Sequence, residues 1–372
     1  MYNCLRMKKV LIVFNHPAPY KVRLFNELAK RMDLTVIFER DSNKNRGQCF
    51  YDENKYQFKT VSIKGRKLGD ENFISSGVKK HLKQNQYDLV VMNGYSTFAE
   101  MKAIRYLNKK HIPFVLMING GLINHHELKL KKHLKTKYIS SAKAYLSPNE
   151  ESNEYLKYYG AHDYQIFNYH NSTIFHSELL EKTLTKEEKD QIKEAFNLEG
   201  ETVYVSAGQF IARKNFLTLI QNWKDMPKTS HLYLFGDGKK HDKYEKTIRE
   251  LQIKNVHLRD FLPKHDLLKV LSVSDIFLFP SLEDIYGHVV NESLSQGTPV
   301  ISNLNVNSAK KLITDGWNGF LTSDFSAHNI ERLSRDLLNE KVRANCLSIA
   351  KENTIEIMVD EISQILLEKV EL

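Results

Sequence analysis

Short apolar runs alternate with longer amphipathic stretches along the whole chain. The runs are nearly continuous in Val, Ile and Leu, as is typical of strands that are covered on both faces of a parallel sheet. They lie at residues 9–14, 34–39, 88–92, 114–118, 144–146 and 165–167 in the first half, and at 203–207, 232–235, 256–258, 276–279, 300–302 and 320–322 in the second. This alternation in both halves predicts an α/β fold of two doubly wound parallel-sheet domains.

A polar stretch, YHNSTIF at residues 169–175, follows the last strand of the first half and predicts the domain boundary. We therefore expect an N-terminal Rossmann-like domain at residues 1–172 and a C-terminal one at residues 173–353. An amphipathic segment at residues 354–372 predicts a final helix that packs back on the N-terminal domain. We expect the two domains to face each other across a cleft, because open parallel sheets bind ligands beyond the carboxyl ends of their strands.

The composition is that of an ordinary globular protein, but the charge is divided unevenly between the halves. Of the 372 residues, 41% are apolar and 27% are charged, which excludes a wholly disordered chain. Residues 1–175 carry 29 Lys and Arg against 15 Asp and Glu, whereas the rest carry 25 against 30, and the net charge is +9. The basic half favours an anionic partner: nucleic acid, an anionic membrane face or a phosphate-bearing substrate.

The cysteines and the hydropathy pattern predict a cytoplasmic protein. The three cysteines, Cys4, Cys49 and Cys346, are far apart and lack metal-ligand spacing, which fits a reducing compartment. No apolar run approaches the roughly 20 residues that a membrane span needs. The chain also lacks a Gly-x-Gly-x-x-Gly motif and a Gly-Lys-Ser/Thr loop, which argues against an NAD enzyme and against a P-loop NTPase.

The segment FPSLEDIYGHVVNESLSQGTPVIS, residues 279–302, carries the most informative pattern in the chain. It predicts a strand, a loop, a helix that begins near Gly287, and a second strand. A glycine at a helix N-terminus lets an anion approach free backbone N–H groups. Asp284 and Glu292 are eight residues apart, so one carboxylate can lie on each side of a bound phosphate. Each carboxylate can accept two hydrogen bonds from vicinal hydroxyls of a ribose or a hexose.

This segment resembles the signature of the retaining glycosyltransferases of family 4, the glycosyl transferases group 1, which have the GT-B fold. The family pattern is Pro-Ser, an acid, Gly three residues on, Glu eight residues after the acid, and then Gly-x-Pro-Val. The resemblance implies that Glu292 binds the ribose of a nucleotide-sugar donor and that Asp284 contacts the transferred sugar. Asp284 stands where the family has Glu, which shortens this arm by one methylene group, and the neighbouring Glu283 is a weaker candidate for the same place.

Two further motifs agree with the family in the same order along the chain. AGQFIARKNFLTLI, residues 207–220, resembles the element whose Lys holds the donor diphosphate, which implies that Lys214 stabilises the charge developing there. Gln209 departs from the family, because many members carry a second phosphate-binding Arg at this place. VHLRDFLPKHDL, residues 256–267, resembles the strand and loop that flank the nucleobase. The implied catalytic residues are Asp284, Glu292 and Lys214, and the implied donor-binding residues are Gly208, Gln209, Arg213, Arg259, Phe261, Leu262, Gly287, His288 and Val289.

The first half resembles the family more loosely. NHPAPYKVRLFNELAK, residues 15–30, contains the Ala-Pro-Tyr-x-x-x-Leu-Phe pattern of a subset of members. NGGLIN, residues 119–124, follows a strand, and its glycines allow a ligand to approach the backbone closely. The expected acceptor-side residues are Tyr20, Arg23, Asn119, Gly120, Gly121 and His125. Because no Asp-x-Asp motif occurs, we predict no metal site and no cofactor, with the nucleotide sugar as a substrate.

The resemblance implies a retaining glycosyltransferase that moves a sugar from a nucleotide-diphosphate sugar, with UDP the commoner base, to an acceptor hydroxyl. A lipid-linked glycan of bacterial surface polysaccharide synthesis is the expected acceptor. Clustered lysines interleaved with leucines predict peripheral contact with the anionic inner face of the membrane, through Lys129, Lys131, Lys132, Lys135 and Lys137. Two alternatives stay open: a nucleotide-sugar epimerase of the same fold, which would consume the donor without an acceptor, and a basic nucleic-acid-binding protein, which would bind no nucleotide diphosphate.

Overall fold

The computed structural model describes residues 6–40, 55–63, 65–68, 72–182 and 184–370. Cys4 and Cys49 lie outside these ranges, as do residues 371 and 372 of the predicted last helix, while Cys346 is a buried thiol. The chain divides into two compact units. The N-terminal unit extends to Asn171 and resumes at Ile355, and the C-terminal unit is Ser172–Thr354.

The N-terminal unit is built on a seven-stranded parallel sheet with the order β3-β2-β1-β6-β7-β8-β9. The strands of this unit are β1 (Lys9–Phe14), β2 (Asp33–Phe38), β3 (Lys59–Ser62), β4 (Arg66–Leu68), β5 (Asn72–Ile74), β6 (Leu89–Met92), β7 (Val115–Met117), β8 (Ala144–Ser147) and β9 (Ile166–Asn168), of which β4 and β5 form a separate hairpin. Its first five helices are α1 (Pro19–Leu28), α2 (Gly77–Gln84), α3 (Phe98–Lys109), α4 (Lys129–Ile139) and α5 (Glu150–Tyr158).

The first strand lies in the middle of this parallel sheet and is covered on both faces. In β1 every residue from Val10 on is buried, and Val10 lies opposite Leu34 of β2 and Leu89 of β6. Burial on both faces explains the unbroken apolar run, and the predicted parallel sheet is confirmed. The sequence pattern did not indicate β3, because this edge strand is mostly exposed and carries no apolar run.

The C-terminal unit repeats the plan with a six-stranded parallel sheet of the order β12-β11-β10-β13-β14-β15. Its strands are β10 (Thr202–Ala207), β11 (Ser230–Phe235), β12 (Val256–Arg259), β13 (Ile276–Phe279), β14 (Val300–Ser302) and β15 (Gly319–Leu321). Its helices are α6 (Lys186–Ala195), α7 (Phe216–Trp223), α8 (His241–Glu250), α9 (Lys264–Val273), α10 (Val289–Leu294), α11 (Asn307–Leu312), α12 (Ala327–Leu337) and α13 (Glu340–Lys351). The prediction of two doubly wound α/β domains is therefore confirmed.

The strand order places a topological switch point in each sheet. In the C-terminal unit, β10 pairs with β11 on one side and with β13 on the other, so the chain leaves β10 in one direction and later returns beside it. In the N-terminal unit, β1 lies in the same way between β2 and β6. The loops that follow the two strands at such a point diverge and leave a crevice at the carboxyl edge, where open α/β sheets bind ligands.

The last helix belongs to the N-terminal unit. It is α14 (Ile355–Gln364), which continues in a wider turn over Ile365–Lys369 and buries its apolar face. Asp360 accepts a hydrogen bond of 2.6 Å from Arg31, and Glu361 forms one of 2.7 Å with the His170 ring. Across the described ranges, no helix is both long enough and apolar enough to cross a bilayer.

Candidate active site

A largely buried ion pair lies at the switch point of the C-terminal unit. Lys214 Nζ is 2.6 Å from Asp284 Oδ2, and the two side chains are only 11% and 14% exposed. The Arg213 guanidinium lies 3.4 Å from the same carboxylate oxygen. The ammonium group of Lys214 also lies 4.5 Å from the centre of the Phe279 ring. The fold thus brings together three predicted residues from the loops that follow β10 and β13.

The backbone after β10 sets the position of Lys214. A single helical turn, Ala212–Lys214, ends at Asn215, whose φ of 57° lies in the left-handed region that Asn tolerates better than most residues. Gly208 precedes this turn with a φ of +152°, and a Cβ there would lie 3.3 Å from Lys214 Cε. A side chain at position 208 would therefore press on the lysine, which makes glycine the residue that suits this place.

The loop after β13 is tied to the loop after β10 through backbone groups. The Leu282 N–H donates to the Arg213 carbonyl at 2.8 Å, and the Ser281 hydroxyl donates to the same carbonyl at 3.2 Å. The second carboxylate oxygen of Asp284 accepts the Tyr286 N–H at 3.3 Å. Both oxygens of Asp284 are therefore engaged, and its side chain is held at a defined position beside Lys214.

Burial and charge act in opposite directions on this pair. Burial by itself raises the pKa of Asp284, but the charge and hydrogen bond of Lys214, followed by Arg213 and the Tyr286 N–H, bring that pKa below its usual range. Burial lowers the pKa of Lys214, and the negative charge of Asp284 opposes this fall. Asp284 thus favours the charged form of a lysine that burial would otherwise neutralise.

The start of α10 depends on the backbone of Gly287. Its φ is +91°, and a Cβ at this position would lie 2.9 Å from the Phe279 ring and 3.0 Å from Val306. His288 and Val289, both half-buried, follow in the first turn. Further along α10, Glu292 Oε1 accepts a 2.9 Å hydrogen bond from the Thr173 hydroxyl. Glu292 is therefore held by Thr173 rather than by the Lys214–Asp284 pair.

This geometry lies inside a segment that matches a known family. Residues 188–354 match the family model described as "Glycosyl transferases group 1". Residues 188–354 form a glycosyl transferases group 1 domain. The match confirms the resemblance to the glycosyl transferases group 1 for this part of the chain, and the matched segment contains Lys214, Asp284 and Glu292.

Two known proteins are similar in sequence to parts of this chain. The chain is 32% identical over 130 residues to the lipopolysaccharide core biosynthesis glycosyltransferase LpsE of Rhizobium meliloti (strain 1021), which covers 35% of this chain and only 37% of that relative. It is 25% identical over 278 residues to an uncharacterized 41.2 kDa protein in the cps region of Klebsiella pneumoniae, covering 72% of this chain and 74% of that protein.

A solved structure extends the likeness to the whole chain. The crystal structure of Anabaena Alr3699/HepE in complex with UDP superposes with a TM-score of 0.78 at 15% identity, covering 96% of this chain and 99% of that protein. HepE has also been crystallised with UDP-glucose. At this identity the likeness concerns the fold, and the predicted GT-B fold is confirmed.

The remaining donor-side residues that the sequence predicts differ in their exposure and in their contacts. Gln209 is exposed beside Gly208, and the Phe261 side chain is 60% exposed while Leu262 is half-buried. The Arg259 guanidinium approaches the Asn197 carbonyl at 3.4 Å and the Tyr233 ring at 5.6 Å. Within the described residues no contact joins Arg259 to Lys214 or Asp284, so the fold does not bring it to the ion pair.

The predicted acceptor-side residues lie in the N-terminal unit, most of them after its strands. The Asn119 amide donates to Asn93 Oδ1 at 3.2 Å, which joins the loops that follow β7 and β6. Gly120 has a φ of +144°, and a Cβ on Gly121 would lie 2.3 Å from the Tyr155 ring. His125 meets the Tyr158 ring edge-on at 5.7 Å, whereas Tyr20 and Arg23 lie half-buried on α1.

Sequence reasoning missed a buried acidic pair near the carboxyl ends of β2 and β6. Glu39 is 1% and Glu100 is 2% exposed, and the Thr97 hydroxyl donates to Glu39 at 2.7 Å. Burial, followed by repulsion from Glu100, raises the pKa of Glu39 to about 8. The Thr-x-x-Glu spacing of Thr97 and Glu100 is a recognisable helix-capping signal. Nothing in the local sequence, however, indicates that Glu39 is buried beside it.

The predicted five-lysine surface on α4 needs a correction. Lys129, Lys131 and Lys137 are exposed, but the Lys135 ammonium lies 2.8 Å from Glu127 and donates to the Tyr159 hydroxyl at 3.0 Å. Lys132 lies over the Tyr158 ring, 3.9 Å from its centre. Two of the five lysines thus turn toward Glu127 and the tyrosines Tyr158 and Tyr159 at the end of α5, because these groups attract a cation. In the described part of the chain, no three His, Cys, Asp or Glu side chains cluster as metal ligands.

Proposed function

We propose that this protein is a retaining glycosyltransferase that moves a sugar from a nucleotide-diphosphate sugar to an acceptor hydroxyl without a metal ion or another cofactor. The observation that carries the proposal is the buried Lys214–Asp284 pair at the switch point of a group 1 domain. A cation in a site of low dielectric stabilises an anion far more than an exposed one does.

The chemical task of the site is to stabilise a departing diphosphate. As the bond between the sugar and the diphosphate breaks, the sugar gains positive character and negative charge collects on the leaving group. Lys214 supplies a cation that is already positioned before the donor arrives, and Arg213 adds a second cation on the solvent side. Asp284 favours the charged form of the lysine, and its carboxylate would contact the transferred sugar.

We infer that the donor is a UDP-sugar. HepE, the structural relative described above, has been crystallised with UDP and with UDP-glucose. Glu292 supplies a carboxylate that can accept hydrogen bonds from both ribose hydroxyls. The resemblance implies that Gly287, His288 and Val289, at the start of the helix that carries Glu292, also bind the donor.

We infer that the acceptor is a lipid-linked glycan of bacterial surface polysaccharide synthesis. LpsE is named for lipopolysaccharide core biosynthesis, and the Klebsiella relative is encoded in a cps region. The acceptor-side residues would be those at the carboxyl edge of the N-terminal sheet and on α1. They are Tyr20, Arg23, Asn119, Gly120, Gly121 and His125.

We further propose that α4 brings the protein to the anionic inner face of the cell membrane. Leu128 and Leu130 are 78% and 71% exposed, and they lie among the exposed Lys129, Lys131 and Lys137. Each lysine near an anionic leaflet contributes about 1 kcal/mol, so these three contribute about 3 kcal/mol. Exposed leucines beside lysines suit an interface where apolar side chains enter the headgroup region.

Flotation with vesicles containing anionic lipid tests the membrane proposal. Wild type should float at low salt, and a variant with Lys129, Lys131 and Lys137 changed to Gln should not. A control with the same charge loss on exposed lysines at and around α8, Lys239, Lys243 and Lys246, should float like wild type. If both triple variants lose flotation equally, or if wild type does not float at low salt, membrane binding through α4 would be contradicted.

Calorimetric titration with UDP-, GDP- and dTDP-sugars tests the proposed transferase. Lys214→Met should weaken binding of the preferred donor about 10- to 100-fold, because a hydrogen bond to a charged group contributes about 1.5–3 kcal/mol. The control Lys224→Met, at an exposed lysine after α7, should bind like wild type. Failure of wild type to bind any of these nucleotides would overturn the proposal and revive nucleic-acid binding.

Turnover separates the transferase from the epimerase. A transferase should release little nucleotide until an acceptor is added, should keep the anomeric configuration, and should remain active in EDTA. Rapid donor consumption without acceptor would favour the epimerase. Loss of activity in EDTA would contradict the metal-free mechanism.

A further inference from the structure

Thr173 holds the carboxylate that is expected to bind the donor ribose. Its side chain is buried, and its hydroxyl donates to Glu292 Oε1 at 2.9 Å. Thr173 lies near the start of the C-terminal unit, 119 positions before its partner. Because threonine is branched at Cβ, its χ1 angle is restricted, so the hydroxyl is a well-defined donor.

The backbone of Thr173 is itself fixed. The Lys264 ammonium donates to the Thr173 carbonyl and also pairs with Glu178 at 2.8 Å. One position earlier, the Ser172 hydroxyl accepts from the Asn291 amide at 3.0 Å, and the same amide donates to the Asn353 carbonyl at 2.8 Å. The first and last segments of the C-terminal unit therefore both attach to α10, next to Glu292.

We infer that Thr173 is a positioning residue that aims Glu292 at the donor ribose. The inference rests on the proposed function and deepens it. A glutamate has three rotatable side-chain bonds, whereas a fork to two vicinal hydroxyls needs one orientation of the carboxylate. The Thr173 hydroxyl bonds Oε1 of this carboxylate and so restricts the directions in which the carboxylate can face. Thr173 itself does not need to touch the donor.

This role predicts an effect that depends on the ribose hydroxyls. Without the threonine hydroxyl, Glu292 would lose the hydrogen bond that orients Oε1, and UDP would bind more weakly. A ligand without ribose hydroxyls cannot donate these two hydrogen bonds to the Glu292 carboxylate, so its affinity should not change. Because the ribose contact exists both in the bound donor and in the transition state, KM should rise while kcat stays nearly constant.

The experiment measures the Kd of UDP and of 2′,3′-dideoxy-UDP by calorimetry for wild type, Thr173→Val and Thr173→Ser. Valine preserves the shape without the hydroxyl, and serine restores the hydroxyl. UDP should bind about tenfold more weakly to Thr173→Val and within about twofold of wild type to Thr173→Ser, in line with the contribution of one hydrogen bond to a charged group. The dideoxy ligand should bind all three proteins equally.

Controls separate this positioning role from a structural one. Thr247→Val removes a hydroxyl that bonds the Lys243 carbonyl on α8, and it should leave both affinities unchanged. Equal weakening of UDP and dideoxy-UDP in Thr173→Val would overturn the inference, as would unchanged UDP affinity. Failure of wild type to bind UDP would instead refute the proposed UDP donor, so the two failures are distinguishable.

Discussion

Replacing Lys21 with methionine should stabilise the N-terminal unit most strongly at low pH. Lys21 lies in the first turn of α1 and is 1% exposed, and its Nζ has no hydrogen-bond partner among the described residues. Its nearest aromatic neighbours are Phe14 and Tyr20, whose ring centres are 5.9 and 5.7 Å from the amine. Methionine is unbranched and flexible, so it can fill the same apolar space without the charge.

The size and sign of the effect follow from the pKa of this lysine. Burial lowers the pKa of Lys21 from 10.5 to about 7, and one pKa unit corresponds to about 1.4 kcal/mol. Below pH 7 both the folded and the unfolded chain carry the charge, and burying it costs about 5 kcal/mol. Between pH 7 and pH 10.5 the unfolded chain binds more protons, so stability rises with pH and the cost disappears. Lys21→Met should therefore raise the free energy of unfolding by about 5 kcal/mol at pH 6 and by about 1 kcal/mol at pH 10.

Hydrogen exchange of β1 and α1 peptides, corrected for the intrinsic rates at each pH, measures the local free energy of opening in this unit. Both tryptophans of the protein, Trp223 and Trp317, lie in the C-terminal unit, so their fluorescence follows the other half. The control Lys80→Met changes an exposed lysine of α2 and should have little effect at either pH. A gain from Lys21→Met that is equal at pH 6 and pH 10, or no gain, would refute the reasoning.

Three further outcomes are expected. Gly287→Ala should lower the unfolding free energy of the C-terminal unit by about 2–4 kcal/mol, because the left-handed φ is retained while the new Cβ meets the Phe279 ring; an unchanged urea midpoint in tryptophan fluorescence would contradict this. Asp284→Asn removes the charge that opposes the fall in the Lys214 pKa, so UDP binding should be lost at a lower pH than in wild type, and identical pH profiles by calorimetry would argue against this coupling. Glu39→Gln should reduce a loss of stability that wild type shows as pH rises from about 4.5 to about 8, the interval in which folded Glu39 keeps a proton that the unfolded chain loses. Hydrogen exchange of β2 that shows the same pH slope in both proteins would exclude this.

Much of the fold could be predicted because its determinants are local. The run KVLIVF indicates a strand covered on both faces, and its burial in β1 follows directly. The edge strand β3 and the hairpin of β4 and β5 gave no such signal, since an edge strand needs no continuous apolar run. The acidic motif was visible for a related reason, because Asp284, Gly287 and Glu292 are neighbours in sequence.

The partners of the chemically important residues could not be predicted in this way. The salt bridge between Lys214 and Asp284 joins residues 70 positions apart, and the Thr173–Glu292 hydrogen bond joins residues 119 positions apart. The sequence indicated that Lys135 is one of five surface lysines, but its ammonium group contacts Glu127 and the Tyr159 ring instead of solvent.

The sequence by itself determined the alternation of strands and helices, the two α/β domains and the residue types of the donor motif. Only the tertiary structure decided which charged groups are buried and what they contact: Lys21 among aromatic rings, Glu39 beside Glu100, and Lys214 against Asp284. Secondary structure follows from the periodicity of neighbouring residues, which a single segment contains. Burial and ion pairing depend on atoms contributed by distant segments, and these meet only when the sheet order is in place.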